Sequence, residues 1–319
     1  MHVNRYWMCD EGRLTQYPYI NNERITNSMI LQNNEHKEVS YDESKHSAIE
    51  KLSKYKSNEI MILGSAYSTV EDNHLLYKFA KQILKTNNIK YLPHIDPNFG
   101  DNFLRVNDRT PNAKGCEEVG IEAGSENYVN DLLLDIKNKH IKAMLIMNDD
   151  LNGYEQLLDA LNDVELLIVL ATNHNKLTAM ADVVIACSTY AEVEGTFINI
   201  DGRVQHFKPA VVTNENRAKM GLQMSRWDKF GAHNDRWTQH EERNCNPAWK
   251  ILRDIANSMG ASLNYKKTED VFNEISQHFA NFNEMSYPLL DKYEGIKLGS
   301  GKIPEPVGVN YVSHYMKPD

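Results

Sequence analysis

The chain has 319 residues, 41% of them hydrophobic and 25% charged, a balance that suits a folded globular protein with room for one large or two smaller domains. A formal net charge of −9 argues against a general nucleic-acid binder, because counterion release needs clustered Lys and Arg. No apolar run approaches the about 18 residues of a membrane span, and the first residues carry no apolar signal region, so the expected location is the cytoplasm.

Residues 2–8 can form an extended strand, and Cys9-Asp10-Glu11-Gly12-Arg13 reads as a turn with Gly12 at positive φ. The polar stretch Asn21 to Ser44 reads as a connector, broken by a possible strand at Met29 to Leu31. Ala48, Ile49 and Leu52 suggest a helix over 44–56. A strand–helix alternation follows. Strands are predicted at 59–65, 89–92, 141–147, 164–170 and 183–186. Helices are predicted after Ser68-Thr69 and over 128–136, 154–161 and 175–181. Residues 94–124, rich in Asn, Asp, Gly and Pro, read as loop. Such alternation predicts a mostly parallel doubly wound α/β sheet with helices on both faces. Ligands in these sheets sit beyond the carboxyl ends of the strands. Here those ends are Gly64-Ser65, Asn148-Asp149-Asp150, Ala171-Thr172-Asn173-His174 and Cys187-Ser188-Thr189.

Ala181 to Gln205 organises the rest. Val183 to Ala186 is a continuous apolar run, β-branched at three of its four positions, as in a strand covered on both faces. A polar bend leads to a second extended piece, Thr196 to Ile200, and then to the turn dipeptide Asp201-Gly202. Gly195 and Gly202 suggest a loop built for close approach. Beyond residue 205 the alternation stops. Residues 213–245 are polar and carry Trp227, Phe230 and Trp237. Pro247-Ala248-Trp249 opens a helix running to Met259-Gly260, a second amphipathic helix spans 268–280, and the remainder reads as an extended tail. The expected division is a connector over 1–45, the α/β domain over 46–212, a helical continuation over 213–281 and the tail over 282–319.

Candidate chemistry is sparse. Gly64-Ser65 follows a strand as phosphate loops do, without a complete glycine-rich motif. Cys9, Cys116, Cys187 and Cys245 are far apart and form no metal or cluster spacing. His233, His240 and Cys245 lie close in sequence but match no ligand pattern, and His140 and His174 are isolated. Glu192, Glu194 and Asp201 suit acid/base work only if burial raises a pKa. Arg105, Asp108, Arg109 and Lys114, around Thr110-Pro111-Asn112, suggest an interface or structural ion pairs. The four tryptophans, Trp7, Trp227, Trp237 and Trp249, suggest partner contacts.

Several segments together resemble one family. A-D-V-V-I-A-x-S-T-Y-A-E-V-E-G-T-F-I-N-I-D-G-R-V-Q, residues 181–205, is similar to the A-D-V-V-L-P…G-T-F-x-N-x-E-G-R-x-Q signature of molybdopterin oxidoreductases. The segments at 3–13, 40–43, 64–76, 108–115 and 247–252 resemble, in order, stretches of the large iron–sulfur subunit of respiratory complex I. In the signature, Ala186-Cys187 replaces the family's proline step. A Cys, selenocysteine or Ser metal ligand, the C-terminal barrel and the cluster-bearing half of the family find no counterpart, which implies a split or shortened subunit.

The resemblance implies a non-catalytic structural subunit of the peripheral arm of a complex I-type NADH:quinone oxidoreductase. No catalytic residue, metal or cofactor is expected in this chain; iron–sulfur clusters and FMN are expected in its partners. Gly64, Ser65, Asn173, Thr189 and Gly195 are the candidates for a vestigial pterin pocket. Arg5, Trp7, Asp10 and Arg13 are the candidates for docking on a ferredoxin-like, cluster-bearing chain, beside the iron–sulfur and flavin subunits. Such a complex sits on the cytoplasmic face of the inner membrane; no direct membrane span and no nucleic acid are expected. The alternative is a subunit of an NAD-linked formate dehydrogenase or hydrogenase that retains a molybdopterin guanine dinucleotide. A third reading is an autonomous protein that binds a nucleotide-like ligand at the strand ends.

Overall fold

A computed structural model describes residues 7–216 and 243–299. A seven-stranded sheet runs through its centre in the order β2-β1-β7-β6-β5-β3-β4. Five strands are parallel: β3 (Ile60–Gly64), β4 (Ile89–Tyr91), β5 (Ala143–Met147), β6 (Leu166–Ala171) and β7 (Val183–Ala186). Strands β1 (Ser28–Gln32) and β2 (Glu35–Val39) extend it as an antiparallel hairpin on β7. The connector read from sequence is therefore half sheet. Asn33 and Asn34 both take positive φ (52° and 63°), which two-residue hairpin turns require and asparagine tolerates.

Register divides the apolar runs between two cores. Ile62, Leu145, Ile168 and Val183 stand side by side on one face; Leu63, Ile146, Val169 and Val184 stand on the other. The first face is covered by α3 (Tyr41–Leu52), α4 (Val70–Lys78), α9 (Ala248–Ser258) and α10 (Thr268–His278), which contribute Leu52, Leu76, Trp249 and Phe272. The second is covered by α6 (Glu126–Lys137), α7 (Glu155–Ala160) and α8 (Lys176–Met180), through Ile136, Leu157 and Leu177. Burying each such side chain is worth roughly 1.5–3 kcal/mol, so the central strands β3, β5, β6 and β7 are stabilised from both sides. A smaller three-stranded sheet, order β10-β9-β8, joins β8 (Gly195–Ile198), β9 (Arg203–Phe207) and β10 (Ile296–Lys297).

Three expectations are corrected. Cys9 to Arg13 is no turn: Cys9 caps α1 (Asp10–Leu14), its sulfur accepting from the Gly12 amide, and α2 (Gln16–Asn21) follows at once. The described part of the tail is not extended. It forms α11 (Tyr287–Lys292) and β10, and Phe282, Leu290 and Ile296 enter the first core. Trp249 is core rather than a partner contact, at 2% exposure. The stretch 94–124 is mostly loop, as its composition suggests, around one short helix, α5 (Ala113–Glu118). Trp227, Phe230, Trp237, His233 and His240 lie outside the described residues.

Candidate functional site at the strand ends

The carboxyl ends of β5, β6 and β7 lie side by side, at the crevice position of an open α/β sheet, and carry Asn148, Thr172, Asn173 and Ser188 to Tyr190. Asn148 takes left-handed backbone (φ 48°) as β5 ends. Its side-chain Nδ2 donates to Ser68 Oγ (3.0 Å) and Cys187 Sγ (3.4 Å), while its side-chain Oδ1 has no partner. Asn173 Oδ1, Ser188 Oγ, Thr189 Oγ1 and the Tyr190 hydroxyl are likewise buried and unpartnered. A buried polar atom without a partner loses on the order of 1–3 kcal/mol. Five of the nine such side-chain atoms among the described residues gather at these three adjacent strand ends.

The chain's own N-terminal segment lies over this crevice. Residues 23–25 continue the sheet past β6, with the Ile25 amide on Thr172 O and the His174 amide on Glu23 O. The Tyr19 and Thr172 hydroxyls are 3.1 Å apart, and the Tyr19 ring stacks near-parallel on Tyr190 with centroids 6.0 Å apart. Asn173 Nδ2 donates to the carbonyls of Tyr19 (2.9 Å) and Asn22 (2.8 Å). A buried charge cluster anchors the root. Glu192, fully buried, accepts from Arg24 (2.7 Å) and Arg243 (2.5 Å), and Arg24 also donates to Thr172 O. Glu192 is thus a buried structural counter-ion.

Beside the crevice, His94 Nε2 faces both carboxylate oxygens of Asp149, at 3.1 and 3.0 Å, with the rings of Tyr67 and Tyr154 packed against it. Burial works against the imidazolium, but the Asp149 hydrogen bond and charge outweigh it and raise the His94 pKa. On the other side, a cavity of about 380 Å³ lined by Asn27, Tyr41, Asn214, Asn246 and Lys250 lies next to β1. Its amides and ammonium bond one another: Asn244 to Asn27, Asn214 to Asn244, Lys250 to Asn246.

The second half of the signature is structural. Thr196 donates through its amide (2.9 Å) and hydroxyl (3.0 Å) to Glu71, which also accepts from Tyr287 (2.7 Å). Complete burial pushes the Glu71 carboxyl up to about 7, against the lowering effect of those donors. Gly195 is required by close approach: a Cβ there would stand 2.6 Å from Thr69 Cγ2. Gly202 is required by conformation, at φ +75°. Asn112 ties this half to the β3–α4 turn, accepting from the Ile198 amide (2.9 Å) and donating to Ser68 O (2.8 Å).

Of the pocket candidates, the structure brings Asn173 and Thr189 together at the crevice. Ser65 is turned inward, donating to Asn148 O (2.7 Å), and a Cβ on Gly64 would meet Asn73 and Ile121 rather than open space. Gly195 faces α4. Arg5 lies outside the described residues, whereas Trp7 is 60% exposed and packs edge-on against Phe103, and Asp10 and Arg13 pair with each other (2.9 Å). Arg109 pairs with Glu11, and Arg105 with Asp101, as structural ion pairs. Cys116, Cys187 and Cys245 are buried with raised thiol pKa values, burial being the main cause. Among the described residues no group of three or more His, Cys, Asp and Glu could hold a metal ion, and no helix is long and apolar enough to cross a membrane. Sequence reasoning missed Arg24, Asn148 and Glu71. Asn148 stood in a strand-end tripeptide and could have been found there; Arg24 and Glu71 gave no local signal.

The comparisons with known proteins agree with this architecture. The family model for molybdopterin oxidoreductase matches residues 27–224. YrhE of Bacillus subtilis (strain 168), whose name assigns it to formate dehydrogenase provisionally, is 23% identical over 210 residues, 64% of this chain and 19% of that protein. The F420-dependent formate dehydrogenase subunit alpha of Methanocaldococcus jannaschii is 28% identical over 173 residues, 51% of this chain and 21% of that one. The F420-dependent formate dehydrogenase 2 subunit alpha of Methanococcus maripaludis is 33% identical over 94 residues, 29% and 14% respectively. The chain therefore matches about a fifth or less of the length of these relatives. With the family signature seated on a doubly wound sheet and the family model covering well over half of its residues, the chain belongs to the molybdopterin oxidoreductase family.

Proposed function

We propose that this chain is a module of a formate-dehydrogenase-type oxidoreductase, and that its strand ends form one wall of a pterin guanine dinucleotide site. The observation that carries this reading is the set of unpartnered buried polar atoms at the ends of β5, β6 and β7. They fit a ligand rich in donors and acceptors, at the place where open α/β sheets bind nucleotides. Asn148, Asn173, Thr189 and Tyr190 are the residues that would hold it. When bound, such a group supplies the molybdenum or tungsten that exchanges electrons with substrate. The chain's own contribution is binding, orientation and exclusion of water, since the described residues supply no metal-ligand cluster. The catalytic ligand and the iron–sulfur clusters belong, in this reading, to partner chains or domains. The exposed patch of Trp7, Met8, Leu14 and Phe103, with Asp10 and Arg13 at its rim, is the face assigned to the cluster-bearing partner.

The complex I reading rests on sequence motifs, whereas the curated relatives are named as formate dehydrogenases and support the second assembly. Isolation of the tagged chain with its bound partners separates the two. Formate-dependent reduction of a viologen dye by the isolated assembly is the expected result. NADH-dependent quinone reduction with no response to formate would overturn the proposal in favour of complex I.

A further inference from the structure

The segment over the crevice differs from the rest of the chain. Helices α1 and α2 bury no residue at all. Their contacts with the body are polar and few: the Tyr19–Thr172 and Tyr19–Tyr190 contacts, two hydrogen bonds from Asn173, Arg243 on Ile20 O (3.3 Å) and Asn21 Oδ1 (3.2 Å), and the half-exposed Arg109–Glu11 ion pair (2.5 Å). Segments with so little buried apolar surface open at low free energy. The root behaves oppositely. Ile25 is 1% exposed and the Arg24 side chain is locked on Glu192, so motion is confined to residues before 24. Glu23 takes left-handed backbone there (φ 52°), a conformation most side chains avoid. Under the segment lie Asn173 Oδ1, Thr189 Oγ1 and the Tyr190 hydroxyl, all unpartnered.

We infer that residues 10–22 are a displaceable strap, and that Tyr19 holds the place on Tyr190 and Thr172 that a planar heterocyclic ring of the ligand takes. This rests on the strand-end site proposed above and assigns that site's ring-binding position. Lifting the strap frees the Tyr190 face, the Thr172 hydroxyl and both ends of the Asn173 amide together. A planar ring with donor and acceptor edges, such as guanine or a pterin, replaces the phenol, and its edge atoms meet polar groups that the strap leaves unpaired. The strap then competes with ligand. The apparent affinity is reduced by the fraction of molecules in which it is down.

The full chain and guanosine diphosphate (GDP) as probe test this. GDP binding by calorimetry is read alongside amide exchange of residues 10–22, in the wild type, Tyr19→Ala and Tyr19→Phe. Tyr19 as a residue is 43% exposed, so both variants should fold, and their melting curves check that. Expected are faster exchange of 10–22 with GDP, roughly tenfold tighter binding by Tyr19→Ala, and a smaller gain for Tyr19→Phe, which keeps the ring. Equal GDP affinity in all three proteins, with strap exchange unchanged or slowed, overturns the strap and leaves the site standing. Absence of GDP binding in all three removes the site itself, and the strap inference with it.

Discussion

The two halves of the 181–205 signature do opposite things with their polar groups. Around Thr196, each Glu71 oxygen is met by the chain itself, through Thr196 and Tyr287. Around Thr189 and Tyr190, hydroxyls are buried and left unpaired beneath a segment with no buried residue. Both halves bury polar atoms, so burial alone does not mark a binding site. What separates them is satisfaction. A saturated polar cluster specifies how elements join; an unsaturated one keeps bonding capacity in reserve for something else.

The largest expected effect is at the anchor that separates strap from core. Glu192→Ala leaves Arg24 and Arg243 without their carboxylate in a buried setting and should cost about 3–5 kcal/mol in urea unfolding. A loss under about 1 kcal/mol would show that this charge cluster does not hold the root. Next is the pH response of the saturated half. A Glu71 carboxyl raised from 4.5 to about 7 favours the protonated form in the fold. Its contribution is full below pH 4.5 and is lost as pH rises through 7, a change of about 3 kcal/mol. Unfolding midpoints of wild type and Glu71→Gln should therefore diverge between pH 5 and 8, with the Gln variant lacking this slope; parallel curves would refute it. Gly195→Ala should cost about 1–3 kcal/mol by driving a methyl onto Thr69, and Thr69→Ser, which removes the methyl it meets, should restore part of the melting temperature. The smallest effect is on the unsaturated side, where Tyr19→Phe removes one hydroxyl contact and should lower stability by about 1 kcal/mol or less.

The same contrast explains how much was legible in the sequence. Val183 to Ala186 is a strand with the predicted bounds, because a β-branched apolar run between two helical layers has one stable conformation. The parallel sheet and the clustering of its strand ends followed from the alternation. The strap did not: α1 and α2 bury nothing, so no apolar periodicity marks them. The β1–β2 hairpin was half hidden because β2 is an exposed, charged edge strand, and only Asn33-Asn34 signalled its turn. Glu71 reads locally as an ordinary acidic first turn of a helix. Its partners lie 125 and 216 residues further along the chain, a separation no local pattern encodes.

The central claim, that the unsaturated strand ends form a wall of a pterin dinucleotide site, is tested most directly by cofactor content. The assembly containing this chain is isolated from cells that make the molybdenum cofactor, denatured, and assayed for oxidised pterin fluorescence and released guanosine monophosphate. The account predicts both in equal amounts in the wild type. In Asn173→Ala/Thr189→Val, each lost bond being worth up to about 1.4 kcal/mol or tenfold, it predicts a steep fall with the partners still bound. Unchanged content in the double variant, or a wild-type assembly with neither pterin nor guanosine monophosphate, would contradict it.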